Sequence, residues 1–323
     1  MQARRADDEA AGMSSLLRSL LFVPGDSERK QAKALASSAD ALILDLEDSV
    51  AETQLPDARV RVREALFSRS RGAGAEAARD STARPQLWVR VHSVSSGMLL
   101  EDLVAIFPGA PDGLVLPKVS SAAEIVQLDR ELSALEAKEA RPIGVTKLII
   151  IATETPHAVL NLPSYPQVLA AEPAAAARVT ALTWGSEDLS AAIGASGKRE
   201  PSGALTSTFQ LVRSLCLLTA AALGVQPVDG VYVNFRDREG LEREAADARR
   251  DGFTGKLAIH PDQVSSINAA FSPTPSELAR ARRIVAAFAV SPQAGVLSLD
   301  GEMIDRPHLA QARRLLELAE REA

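Results

Sequence analysis

The sequence predicts an α/β fold, a single (β/α)8 TIM barrel with a C-terminal helical extension. Short apolar runs rich in β-branched residues alternate with helix-period segments eight times along the chain. The 323 residues, 46% of them hydrophobic, fit one barrel with an appendage more economically than two domains. Aromatic residues make up only 4% while Ala, Leu and Val abound, which suits tightly packed helices on a sheet and not a β-sandwich.

Residues 1–13 lack the apolar run of a signal peptide, and the Asp7, Asp8 and Glu9 cluster is foreign to a transit peptide, so a poorly ordered tail is expected. The barrel is assigned to 14–290. Leu20–Val23 is its first strand, stopped by Pro24–Gly25, and Asp26 or Ser27 can cap a helix from Glu28 to Ala36. That helix carries Arg29, Lys30 and Lys33, which form either a solvated face or a site for an anionic ligand. Ala41–Leu44 is a second buried strand. Asp45, Glu47 and Asp48 crowd its end, an arrangement that is costly without a cation or cationic partners nearby.

Gln54 to Leu66 has the helical period, and 70–84, with Gly, Ala, Ser and charges but no periodicity, reads as a flexible insertion. Leu87–Val91 is the third strand. An arginine in so apolar a run, Arg90, is a paired or an anion-binding guanidinium, with Asp45 or Glu47 as its simplest partners. A helix over Leu99–Ile106, a strand over Gly113–Leu116 ending in Pro117–Lys118, and a helix over Ala122–Ala140 follow.

Between Lys147 and Ser190 two apolar runs of strand length each end in a carboxylate. In Leu148–Ile151 the apolar residues follow without alternation, as in a strand buried on both faces, and Glu154 lies just past its end. Val179–Thr183 repeats the pattern; Gly185 then turns the chain into a polar segment holding Glu187 and Asp188. Two adjacent parallel strands would bring Glu154 and Asp188 to the same edge of one sheet. Such a pair suits Mg2+, which is commonly held by one or two protein carboxylates together with water and substrate oxygens. The alternative is that each acid caps the helix that follows it.

Residues 170–177 read as a surface insertion and Ser202–Leu223 as a long helix. Asp229–Val233 is the seventh strand, Leu241–Arg250 a helix, and Lys256–Ile259 the eighth strand, closed by His260–Pro261, where the histidine has a structural turn role. Pro275–Ala289 forms one more helix. The extension, 291–323, leads through Gly295–Leu297 and GEMID to a last helix from Pro307. A tail beyond a finished barrel packs on its own subunit or crosses to a neighbour to cover an open strand-end site.

The net charge of −6 and scattered basic residues exclude a phosphate-backbone binding stripe, so no nucleic-acid partner is expected. Cys216 is the only cysteine, which excludes an intramolecular disulfide and a cysteine zinc cluster and fits a reducing, cytoplasmic setting. No apolar stretch is long enough to span a bilayer.

Taken in order, RSLLFVPGD, LILDLEDSV, WVRV, LPKV, ATETP, WGSEDLS, DGFTGKLAIHP and GEMIDRP make residues 18–320 resemble the citrate lyase β-subunit-like branch of the aldolase/citrate lyase family. The resemblance implies a (β/α)8 barrel, assembled as a homotrimer in several members. It also implies Mg2+-dependent carbon–carbon bond cleavage or formation in acyl-CoA esters such as malyl-CoA or citramalyl-CoA, or in a citryl thioester on a carrier protein. On this likeness Glu154 and Asp188 are the metal ligands, Arg90 contacts the substrate, Asp45 is a catalytic residue just outside the ligands, and Arg29 and Lys33 meet the CoA phosphates.

The chemistry accounts for these residue types. Mg2+ chelates a carboxylate and the oxygen beside it, Arg90 stabilises a developing oxyanion, and amides around Gly185, Ser186 and Glu187 can receive the substrate carboxylate. Asp305 of GEMID is implied to be a general acid/base delivered from an adjacent subunit; the alternative is that it caps the helix starting at Pro307. Two positions depart from the family pattern, His92 where Asn is usual and the bulky Trp184 before Gly185. A free-standing CoA-thioester lyase is the preferred expectation. A citryl-carrier-protein lyase β subunit, a pyruvate-type aldolase and a non-catalytic metabolite-binding protein are the alternatives.

Overall fold

A computed structural model describes residues 16–72 and 84–322. The expected tail at 1–13 and nearly all of the expected insertion at 70–84 lie outside the described residues. Two compact units are present, one of residues 17–270 and one containing the chain from Phe271 onward.

The first unit is the barrel. Its strands are β1 (Ser19–Pro24), β2 (Ala41–Asp45), β3 (Gln86–Arg90), β4 (Gly113–Leu116), β5 (Lys147–Ile151), β6 (Val179–Thr183), β7 (Gln226–Asp229) and β8 (Gly255–Ala258). They pair in parallel in chain order, and β8 closes on β1 through Leu20 beside Leu257. Between them run α1 (Glu28–Leu35), α2 (Leu55–Gly72), α3 (Leu99–Ile106), α4 (Ala122–Lys138), α5 (Pro156–Asn161), α6 (Tyr165–Ala170), α7 (Pro173–Arg178), α8 (Ser186–Ala192), α9 (Ser207–Leu223) and α10 (Arg238–Asp251), with α11 (Val264–Phe271) after β8. Leu20, Ile43, Trp88, Val115, Ile149, Ile151, Val228 and Leu257 fill the interior, as the alternation of strand side chains requires. Register then decides which polar ends meet: Asp45 stands opposite Arg90 on β3.

The second unit contains α12 (Pro275–Val290), an antiparallel hairpin of β9 (Val296–Leu299) and β10 (Glu302–Asp305), and α13 (Arg306–Glu322). Asp300 and Gly301 both have positive φ, 55° and 82°, the two-residue turn that matches strand twist. The extension is thus part strand, and it begins earlier than the expected boundary at 290/291. The reason is packing: Ala281, Ile284 and Phe288 of α12 share one apolar cluster with Ile304, Leu309 and Ala312.

One further expectation is corrected and another refined. The seventh strand ends at Asp229 instead of starting there, because the Asp229 carboxylate is fully buried and bonded to Lys256 and Arg213. Residues 170–177 are mostly exposed, as expected of a surface segment, but from Pro173 they are helical: α7 runs into Arg178, which is fully buried and forks onto Glu136 at 2.7 and 2.8 Å and onto Asp129 at 2.5 Å. An alanine-rich segment looks dispensable until its terminal arginine is seen to anchor it.

Candidate active site

The C-terminal ends of β2 and β3 place Asp45 against Arg90. Arg90 Nε donates to Asp45 Oδ1 at 2.6 Å and Nη2 to Oδ2 at 2.7 Å, a bidentate pair. Asp45 also accepts the backbone N–H groups of Glu47 and Ser49. Burial pushes its carboxyl up, but the Arg90 contacts outweigh that and hold it below its ordinary value. The third guanidinium nitrogen, Nη1, lies 3.1 Å from Glu47 Oε2 and 3.5 Å from Asp48 Oδ2, and the guanidinium carbon sits 4.8 Å from the centre of the Phe22 ring. Glu47 Oε2 is buried and, although within ion-pair distance, has no aligned hydrogen-bond donor.

Glu154 follows β5 and is buried, while Asp188 lies in the first turn of α8 and is partly exposed. Burial, with the Asp188 and Glu47 charges nearby, pushes the Glu154 carboxyl up to about 8. The turn before Asp188 depends on glycine, since a Cβ at Gly185 would lie 2.6 Å from Glu154 Cγ. Lys118, two residues past β4, donates its backbone N–H to Glu154 Oε2. Its Nζ reaches Glu47 Oε1 at 2.5 Å and Asp48 Oδ1 at 3.0 Å, and stands 3.6 Å from Asp188 Oδ1.

The structure therefore brings Asp45, Glu47, Arg90, Glu154 and Asp188 to one end of the barrel. Among the described residues no group of three or more His, Cys, Asp or Glu side chains is arranged to enclose a metal ion. Mg2+ does not need one: two hard oxygen donors, one of them a buried carboxylate that its protein neighbours leave under-compensated, fit this cation and leave room for water and substrate oxygens.

Other expected residues stand differently. The Gly185 amide is not free for a substrate carboxylate, because it donates to Thr153 Oγ1 at 3.1 Å. Ser186 is buried, and the Glu187 side chain turns to Lys198. Arg29 and Lys33 are exposed on α1. Asp305, in the second unit, has Oδ1 2.5 Å from His308 Nδ1 and accepts the His308 N–H at 3.4 Å, which realises the capping contact and holds its carboxyl below the ordinary value. His260 has its expected turn role: Nδ1 accepts the Asp262 N–H, and the ring stacks on Phe235.

His92 and Trp184 are both buried and anchored. His92 Nδ1 lies 2.7 Å from Asp102 Oδ2, and Asp102 is in turn held by Arg59 Nε at 2.8 Å. Trp184 Nε1 donates to Asp229 Oδ1 at 2.8 Å. Sequence reasoning assigned Lys118 no individual role, and its signals were its position at a strand end after Pro117 and its place in the LPKV motif.

A closed parallel barrel with acids, a clamped arginine and a lysine at the C-terminal ends of its strands falls in the class of α/β-barrel enzymes, whose chemistry sits on that face. The chain belongs to the HpcH/HpaI aldolase/citrate lyase family, whose sequence profile matches residues 18–261. It is 34% identical over 307 residues to the mitochondrial citramalyl-CoA lyase of Rattus norvegicus, covering 94% of this chain and 86% of that protein. A (3S)-malyl-CoA thioesterase of Cereibacter sphaeroides is 35% identical over 306 residues, 94% of each chain. The crystal structure of Mycobacterium tuberculosis CitE in complex with magnesium, acetoacetate and coenzyme A superposes with a TM-score of 0.71 at 30% identity, covering 95% of this chain and 99% of that one.

Proposed function

We propose that the protein is a Mg2+-dependent carbon–carbon lyase acting on a 3-hydroxyacyl-CoA thioester such as malyl-CoA or citramalyl-CoA. The observation that carries this reading is the buried, under-compensated Glu154 facing Asp188 at the mouth of a barrel of this family. Relatives named citramalyl-CoA lyase and a CitE complex holding magnesium and coenzyme A support the substrate class.

In this reading Glu154 and Asp188 hold Mg2+, which when bound supplies Lewis-acid polarisation and a template for the substrate's carboxylate and adjacent oxygen. Arg90 supplies positive charge to the developing oxyanion while Asp45 fixes the guanidinium plane. Asp305, ionised at rest, takes the hydroxyl proton as the C2–C3 bond breaks to leave a 2-oxo acid and the enolate of the shortened thioester, and returns that proton to the enolate carbon. The Ser186 and Glu187 amides orient the substrate carboxylate. Arg29 and Lys33 meet the CoA phosphates, for which exposed cations on α1 are suited. The assembly is a homotrimer in which a neighbour supplies Asp305, and the setting is cytoplasmic. Among the described residues no helix is long and apolar enough to cross a membrane.

Thioester hydrolysis is a second reading, favoured by the thioesterase relative at 35% identity. Purified protein with Mg2+ and malyl-, methylmalyl-, citramalyl- and citryl-CoA, followed by mass spectrometry, separates the two. A shortened CoA thioester plus a 2-oxo acid indicates the lyase, free CoA plus the intact hydroxy acid indicates hydrolysis, and no turnover of any member refutes both.

A further inference from the structure

Lys118 is one of four non-glycine residues with positive φ among the described residues, at 53°. That region is sparsely populated for a side chain of this size and persists only where the surroundings dictate it. Two contacts dictate it here. The turned backbone aims the Lys118 N–H at Glu154 Oε2, and the side chain crosses from β4 to the acids that follow β2 and to Asp188 in α8.

The three ammonium contacts are unequal. Glu47 Oε1 at 2.5 Å and Asp48 Oδ1 at 3.0 Å are hydrogen-bonded, whereas Asp188 Oδ1 at 3.6 Å is beyond hydrogen-bond reach and feels only the charge. Arg90 cannot substitute, because Asp45 takes two of its nitrogens and Glu47 and Asp48 flank the third. Among the described residues, Lys118 is the one basic side chain within ion-pair distance of Asp188.

We propose that Lys118 is the site's resident counter-cation, a positioning residue that, with Arg90, offsets the charge of Glu47 and Asp48, stands in for a cation beside Asp188 in the metal-free protein, and gives up Asp188 when a divalent cation binds. This rests on the reading that Glu154 and Asp188 hold Mg2+. The loose contact is the one surrendered, and the two tight ones keep Lys118 tethered during the exchange. A compact ammonium on a flexible stem suits such a role better than a planar guanidinium.

The test is calorimetric titration of substrate-free protein with MgCl2 at low ionic strength, together with thermal melts in EDTA and in excess Mg2+. Wild type is compared with Lys118→Met, Lys118→Gly, Lys118→Arg and Glu154→Gln. Lys118→Met keeps the aliphatic stem, and Lys118→Gly accepts the positive φ without strain and keeps the N–H to Glu154. Both should melt lower than wild type in EDTA, bind Mg2+ about tenfold more tightly because a competing positive charge is gone, and gain more from Mg2+ in Tm. Added salt should shrink the difference, and Lys118→Arg, which keeps the charge but not the compact ammonium, should fall between wild type and the two neutral variants. A merely structural lysine would leave affinity unchanged or weaken it on removal. Folded Lys118→Met or Lys118→Gly with unchanged or weaker Mg2+ affinity overturns the proposal while leaving the metal site standing. Failure of wild type to bind Mg2+, or binding that survives Glu154→Gln, overturns the metal-site reading and this proposal with it.

Discussion

Arg90 and Asp45 face each other across neighbouring strands, and the guanidinium grips both carboxylate oxygens at 2.6 and 2.7 Å. Two of its nitrogens are thereby fixed and the third is aimed at Glu47 and Asp48. The pairing makes the orientation of Arg90 a property of the barrel register and not of a flexible side chain.

Replacing Arg90 by Lys keeps the charge and loses the fork. If the guanidinium stabilises an oxyanion, turnover should fall by about 10²–10³ with little change in Mg2+ affinity. Asp45→Asn should cut turnover too and, by stripping a buried cation of its partner, destabilise the fold by about 3–5 kcal/mol. Steady-state kinetics and denaturant melts measure both effects. Full activity of Arg90→Lys would show the fork to be irrelevant.

Glu154→Ala and Asp188→Ala should each abolish Mg2+-dependent turnover while leaving the fold intact. Above about pH 8, where the buried Glu154 carboxyl is ionised, its removal also removes a desolvated charge, so there its variant should melt no lower than wild type in EDTA. Calorimetry with MgCl2 and circular dichroism give the two readouts, and normal Mg2+ affinity in both variants contradicts the assignment.

Away from the site, Glu136 and Arg178 form a fully buried pair, and Arg178 with the backbone donors of Gly144 and Thr146 holds the Glu136 carboxyl down to about 2 against the desolvation that would raise it. A depressed carboxylate contributes stability above its unfolded value and loses it as pH falls through the folded value. The contribution should therefore be intact at neutral pH and vanish between the ordinary glutamate range and about 2. Glu136→Gln should lower Tm at pH 7 and flatten the acid limb of the stability profile. A variant with an unchanged acid limb would show that other carboxylates govern it.

The barrel was legible because Leu148–Ile151 and Ala41–Leu44 are buried on both faces and leave apolar runs without alternation. Glu154, Asp188, Asp45 and Arg90 were legible because each stands at a strand end, where parallel closure forces convergence. Lys118 was not, since its role depends on one backbone dihedral and on acids contributed by the β2 and β6 ends. Arg178 was hidden by the alanines before it, and the true end of β7 by Val231–Val233, which carry strand-like residues without strand pairing. The hairpin before α13 was read only as a lead-in, because its strands are half exposed and short.

His92 and Trp184, read from the sequence as departures from the family pattern, are both held from behind, His92 by Asp102 and Trp184 by Asp229. Their effect on specificity should come through position: His92→Asn loses the Nδ1 contact and Trp184→Phe the indole donor. Each should change the ratio of kcat/KM between malyl-CoA and citramalyl-CoA by about 10-fold, the scale of one small group in a pocket. Unchanged ratios in both variants would remove them as specificity determinants.

Asp305 should be the proton donor to the enolate, delivered across a subunit boundary. In the proposed reading Glu154 and Asp188 serve the metal, Asp45 is taken by Arg90, and Glu47 and Asp48 are held by Lys118 and Arg90, so a further acid is called on to protonate the enolate. Asp305 ends β10 in a unit separate from the barrel, and its carboxyl is held by His308 and caps α13. A carboxyl depressed by His308 is a weak proton reservoir in the resting protein, so the role requires that contact to loosen when substrate is bound. Asp305→Ala should lower turnover by about 10²–10⁴, the range of general acid–base catalysis, with Mg2+ affinity preserved. Mixing inactive Asp305→Ala subunits with inactive Glu154→Ala subunits should then restore part of the activity, since some interfaces would join an intact tail to an intact metal site. No recovery in demonstrably mixed oligomers counts against a shared site, and full activity of Asp305→Ala alone leaves the residue as a helix cap.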